Sequence, residues 1–119
     1  MVINVYEQYF AAEALFNGVE RRGALVMLIS ESEAGTISYR AAVTFFPHRD
    51  DEDFAVSYDA CFEKELYRAP GRRSKKREAA LLEHFREEID SLATAAPVTD
   101  GTPAAHVCWD QPLRDARRG

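Results

Sequence analysis

The sequence predicts one α+β domain with the element order αβββα, in which helices pack on one face of a three-stranded antiparallel sheet. Two segments alternate apolar and polar residues, as half-buried strands do, and a long segment with apolar residues at helical spacing follows them. The chain has 119 residues, of which 46% are hydrophobic, so it can bury one core and little more. A sheet and helices that share this core must cover each other's apolar surfaces.

The first element is predicted to be a helix from Asn4 to Asn17. Asn4 and Glu7 fit a capping box with Asn in place of Ser or Thr, the aromatic and aliphatic residues that follow recur at helical spacing, and Gly18 supplies a stop. A short strand from Val2 to Tyr6 is the alternative for the beginning of this segment.

The next three elements are predicted to be strands. Ala24 to Ser30 is a nearly continuous apolar run, which is typical of a strand buried on both faces. Thr36 to Phe46 and Phe54 to Glu63 alternate with a period of two, and Pro47 ends the first of them because proline cannot donate to a β-ladder. Their aromatic-rich faces match, so we expect the two to be antiparallel neighbours over the core. These faces consist of Ile37, Tyr39, Ala41, Val43 and Phe45, and of Phe54, Val56, Tyr58, Ala60 and Phe62.

The last element of the domain is predicted to be a long amphipathic helix. Pro70 and Gly71 mark a loop from Tyr67 to Arg73, and Ser74 is the expected N-cap of a helix that runs to about Ala95. Its apolar stripe should lie across the apolar face of the sheet, since neither element can bury that surface alone. The stripe consists of Leu82, Phe85, Ile89 and Leu92.

The composition changes after this helix. Residues 1–96 are therefore interpreted as the domain, and residues 97–119, which contain Pro, Ala and Arg, as a mostly mobile C-terminal tail. Trp109 in this tail is expected to dock on the domain, to add a short edge strand, or to serve as a hook for a partner.

Charge and cysteine content narrow the function classes. The net charge of −5 argues against non-specific nucleic-acid binding. Cys61 and Cys108 form no Cys-x-x-Cys pair, and the three histidines have no spacing that pairs them with a nucleophile, so we expect no catalytic residue, no metal site and no cofactor. No signal peptide or membrane-length apolar segment is visible, which predicts a cytoplasmic protein without a membrane partner.

A basic cluster at the start of the last helix is the candidate binding site. Positive charge is unfavourable at a helix N-terminus, yet together with the free N–H groups there it suits a phosphate or carboxylate. A solvated loop–helix junction, partly paired with nearby glutamates, is the alternative interpretation. The candidate anion-binding residues are Arg72, Arg73, Ser74, Lys75, Lys76 and Arg77.

The element order and the segment from Pro70 to Arg77 resemble the double-stranded RNA-binding domain. The loop with Gly71 and the Ser-Lys-Lys start at Ser74 are similar to the family's Gly-rich loop and the start of its last helix. The resemblance implies an αβββα fold over residues 4–92 and implies that Lys75 and Lys76 grip phosphates across an RNA groove.

The sequence thus favours a small, cytoplasmic, non-enzymatic binding module with a local basic patch. A protein partner is expected first, because the chain as a whole is acidic and Glu31 and Glu33 lie in a loop where the family contacts RNA. Duplex RNA or another nucleic acid, bound through Lys75, Lys76 and Arg77, is the alternative, and an enzyme with a site that the sequence does not reveal is the third possibility. The oligomeric state is not predicted.

Overall fold

Five antiparallel strands form one sheet, with two helices on one of its faces, in a computed structural model that describes residues 1–16, 19–46, 61–95 and 105–114. The order of the strands across the sheet is β4-β3-β2-β1-β5. The elements are β1 (Val2–Phe16), β2 (Val19–Glu33), β3 (Thr36–Phe46), β4 (Cys61–Pro70), α1 (Lys75–Glu83), α2 (Phe85–Ala95) and β5 (His106–Arg114).

The three central strands follow one another as antiparallel neighbours. β1 and β2 pair over most of their 15 residues each, and β2 pairs with β3 from Gly23–Phe46 to Glu33–Thr36. The β2–β3 turn has Ala34 at φ 53° and Gly35 at φ 81°. Two central residues with positive φ are the geometry that matches the twist of a tight hairpin.

The core lies between the sheet and α2. Phe85 and Ile89 of α2 are buried against one face of β3. This face carries Ile37, Tyr39, Ala41, Val43 and Phe45. β1 and β5 extend this face with Phe10 and Val107. The helix-covered face of the sheet is therefore continuous from β4 to β5, and α2 contacts β3, β4 and β5.

The prediction of a helix from Asn4 to Asn17 is wrong, because residues 4–16 lie within β1; Asn17 lies outside the described residues. Tyr6, Phe10 and Ala12 fall on the face of β1 that joins the core cluster. The segment has Val5 and several aromatic residues that suit a strand, and pairing with β2 places Phe10 and Ala12 in the common core, a tertiary gain that overrides helix propensity. The alternative of a strand from Val2 to Tyr6 had the right element type but ended too early.

The αβββα fold class with a three-stranded sheet is wrong as well, and so is the resemblance to the double-stranded RNA-binding domain that rested on it. The chain begins with strands, and the sheet has five of them among the described residues. β4 runs from Cys61 to Pro70, beyond the predicted strand end at Glu63 and through most of the expected loop. Residues 54–60 of that predicted strand lie outside the described residues.

Several local predictions are confirmed. The strand from Thr36 to Phe46 has the predicted limits, and its predicted apolar face is buried throughout. The opposite face is buried as well from Ala42 to Phe46. Ser74 is the N-cap of α1, where its side chain accepts a hydrogen bond from the Arg77 N–H. The predicted single helix is divided at His84, which caps the C-terminal end of α1.

Beyond α2, the described chain returns to the sheet as β5. Ala105 and Val107 are buried in the core, so folded structure continues past the predicted domain boundary at residue 96. Within the described residues, neither helix is long and apolar enough to cross a membrane.

Candidate functional site

One cation of the predicted basic cluster, Arg73, forms an ion pair with a buried carboxylate. Glu78 in the first turn of α1 has only 5% of its surface exposed. Arg73 donates to it twice, from Nε to Oε2 at 2.7 Å and from Nη2 to Oε1 at 2.9 Å. This fork-to-fork geometry is the strong form of an arginine–carboxylate pair. Arg73 therefore serves to hold α1 in place.

Tyr39 connects this ion pair to the sheet. Its hydroxyl donates to Glu78 Oε2 at 2.8 Å and accepts from the Ser74 N–H at 3.2 Å. Hydrogen bonds from Arg73, and then from Tyr39, hold the pKa of Glu78 below its ordinary value. Burial raises the pKa of Tyr39. The ring, the carboxylate and the guanidinium thus fix the start of α1 on β3.

The other cations of the cluster remain at the surface. Arg77 stacks over the Tyr67 ring, with 4.3 Å between its Cζ and the ring centroid. Arg72, Lys75 and Lys76 are exposed, and the described part of the chain offers them no ion pair. The structure thus leaves Arg72, Lys75, Lys76 and Arg77 at the surface around the N-terminus of α1, and the anion site predicted for Arg72 to Arg77 stays a prediction.

A second candidate site is an aromatic cleft between the helices and the sheet edge. The cleft has a volume of about 300 Å³. The ring of Tyr6 meets that of Phe85 edge to face at 5.2 Å, and Phe10 meets Trp109 in the same way at 4.9 Å. The aromatic cleft is lined by Tyr6, Phe10, Leu82, Phe85, Arg86 and Trp109.

Two polar contacts hold the Trp109 wall of this cleft. The indole N–H donates to Asp90 Oδ1 at 2.8 Å, and Arg86 lies over the ring with its Cζ 5.0 Å from the centroid. Burial raises the pKa of Tyr6, while the charge of Arg86 opposes this shift. Arg86 is exposed, and no carboxylate of the described residues forms an ion pair with it.

A third group lies where β1 and β5 pair. Glu13 is opposite His106, and Cys108 is opposite Ala11. The ligand atoms of Glu13, His106 and Cys108 all lie within 4.8 Å of one another. Burial raises the pKa of the Cys108 thiol, and the charges of Glu13 and Asp110 raise it further. A thiol in this state is a weak nucleophile without an added cation.

Sequence reasoning missed both the cleft and this third group. Each depends on β5, which brings Trp109 beside Phe10 and His106 beside Glu13 from distant parts of the chain. The available signal was the alternation in His106-Val107-Cys108-Trp109, which places His106 and Cys108 on one face of a strand and Val107 and Trp109 on the other.

Comparisons with known proteins add no identification. No family model, no curated protein and no solved structure matches the chain.

Proposed function

We propose that this chain is a non-enzymatic interaction module whose aromatic cleft receives an apolar side chain of a protein partner next to a carboxylate of that partner. The proposal rests on the position of Arg86 at the aromatic cleft. Arg86 is exposed and has no ion pair among the described residues. Aromatic residues and arginine are the types that dominate binding energy at protein interfaces.

The size and lining of the cleft select the occupant. A volume of about 300 Å³ is at the low end for ligand pockets and suits one large side chain better than an extended cofactor. The aromatic rings offer apolar surface, and Arg86 offers a planar guanidinium that binds carboxylates in two-point fashion. An acidic segment with an aromatic or long aliphatic residue therefore complements both parts.

The compartment that we propose is the cytoplasm. Cys61 and Cys108 are free thiols, and a reducing environment keeps such thiols free.

The chain's single tryptophan reports on the cleft directly. We expect N-acetyl-phenylalanine to change the fluorescence of Trp109 in a saturable way, with a dissociation constant of roughly millimolar order. The amide N-acetyl-phenylalaninamide lacks the carboxylate and should bind up to roughly fivefold more weakly, as expected for one exposed ion pair.

Arginine variants provide the matched comparison. Arg86→Gln should remove the preference for the carboxylate. Arg77 lies over Tyr67, away from the cleft, so Arg77→Gln should keep this preference. A preference that persists in Arg86→Gln, or the lack of saturable binding of either probe, would overturn the proposal.

A second candidate function is the binding of phosphate groups, as in duplex RNA, at the start of α1. The exposed side chains of Arg72, Lys75 and Lys76 favour it. Phosphate contacts predict a steep loss of affinity with added salt. Lys75→Glu with Lys76→Glu should then abolish binding to a long RNA duplex at low salt, and the lack of binding by the unaltered chain would exclude this function.

A further inference from the structure

We infer that Glu13, His106 and Cys108 form a binding site for a divalent transition metal ion of the zinc class. The site does not depend on the aromatic cleft, because alternation along β5 puts His106 and Cys108 on the opposite face from Val107 and Trp109. Nothing in the spacing of the cysteines along the sequence predicts it.

Strand pairing holds the three side chains together. Glu13 of β1 is directly opposite His106 of β5, and Cys108 is two residues further along the same face of β5. Directly opposite and diagonal residues on one sheet face are the pairs whose side chains meet. The backbone hydrogen bonds between β1 and β5 thus fix the Cα positions of all three residues in the absence of an ion.

The distances suit a small tetrahedral ion after modest side-chain adjustment. Nε2 of His106 lies 3.9 Å from Oε2 of Glu13, and the whole set of ligand atoms fits within 4.8 Å. Zinc bonds to nitrogen, oxygen and sulfur are ~2.0–2.3 Å long, so bound ligand atoms lie ~3.5 Å apart. Glu13 and His106 are exposed, so their torsions can close the remaining gap of about an ångström.

The donor set identifies the class of ion. An imidazole, a thiolate and a carboxylate together suit Zn²⁺ or Co²⁺, whereas Ca²⁺ and Mg²⁺ require mostly oxygen ligands. Three protein ligands leave the fourth position of a tetrahedral ion for water. An ion at this place would connect the last strand to the sheet, because it binds β1 through Glu13 and β5 through His106 and Cys108.

An ordinary exposed ion pair is the competing interpretation. It needs Glu13 and His106 alone and gives Cys108 no role. His84, between α1 and α2, and Glu87 of α2 form such a pair at 3.5 Å, without a cysteine in their group among the described residues, and so provide an internal control.

Cobalt titration of the reduced, metal-free chain tests the inference. We expect one Co²⁺ per chain, with a thiolate-to-metal charge-transfer band and the visible bands of tetrahedral cobalt, and displacement by an equivalent of Zn²⁺. Cys108→Ser should abolish the charge-transfer band, whereas Cys61→Ser should keep it. His106→Gln should weaken affinity at least about tenfold, while His84→Gln leaves it unchanged.

Three outcomes would overturn the inference. They are the absence of a thiolate band, a band that survives in Cys108→Ser, and Co²⁺ binding that is equally strong in His106→Gln and His84→Gln. Circular dichroism of each variant checks folding. A conservative Glu13→Gln variant, which keeps the side-chain size and removes the charge, should bind Co²⁺ more weakly than the unaltered chain does.

Discussion

Glu78→Gln should destabilise the protein strongly for an exchange of nearly equal shape. Glu78 is buried and accepts two hydrogen bonds from Arg73 and one from Tyr39. The amide keeps one acceptor oxygen, loses the charge, and turns an NH₂ group toward a donor. The variant therefore breaks the contact by which α1 is fixed to β3.

The expected cost is about 2 kcal/mol. Removing one partner of a fully buried ion pair costs ~3–5 kcal/mol, because the other charge is left without compensation. The side chain of Arg73 is 39% exposed, so water can solvate its guanidinium and the cost falls toward the value of one charge-assisted hydrogen bond, ~1.5–3 kcal/mol. In a domain of this size, 2 kcal/mol lowers the melting temperature by roughly 8 °C.

The loss of unfolding free energy in Glu78→Gln should decrease as the pH falls. The pKa of Glu78 is lowered in the folded protein, so its stabilising contribution is present above the ordinary glutamate pKa of 4.5 and is lost as the pH falls through the lowered value. Glutamine does not titrate. The difference in unfolding free energy between the two proteins should therefore be largest near neutral pH and should shrink below about pH 4.5.

Urea unfolding followed by circular dichroism at a series of pH values measures both quantities. Glu83→Gln, on the exposed side of the same helix, is the matched control and should change stability by no more than about 0.5 kcal/mol. The reasoning is refuted if Glu78→Gln costs no more than Glu83→Gln at pH 7, or if its cost is the same at pH 3.

Three further substitutions test the packing, each through the change in unfolding free energy. Gly23→Ala should cost ~1–3 kcal/mol because its Cβ would collide with the Phe46 ring, and a neutral result would show that this ring moves freely. Ala34→Asn should gain ~0.5–1 kcal/mol, since Asn before Gly35 suits positive φ; a loss would contradict the turn geometry. Ile89→Ala should cost ~2–5 kcal/mol, and a cost below 1 kcal/mol would place Ile89 outside the core.

The sequence allowed prediction where a local pattern and the tertiary environment agree. Thr36 to Phe46 alternates and lies in the middle of the sheet, so its period and its burial coincide. Ser74 caps a helix through a contact three residues away, which a sequence displays directly. α1 and α2 were recognised as helical, although the break at His84 was not.

The prediction failed where distant pairing decides the structure. The apolar residues of β1 fit a helical spacing as well as a strand, and the choice is made by β2, which lies beside it for nearly its whole length. β5 was interpreted as part of a tail because the composition changes after the last helix. Both candidate sites on β5 require its pairing with β1, and neither Trp109 nor Cys108 has a sequence neighbour that reveals its partner.

The proposed use of the aromatic cleft is tested most directly by the single indole N–H signal of Trp109 in ¹⁵N-labelled protein. We predict that this signal shifts progressively and saturates when N-acetyl-phenylalanine is added, because the Trp109 ring is one wall of the cleft. An indole signal that stays in place, while N-acetyl-phenylalanine shifts signals elsewhere or nowhere, would contradict a binding role for the cleft.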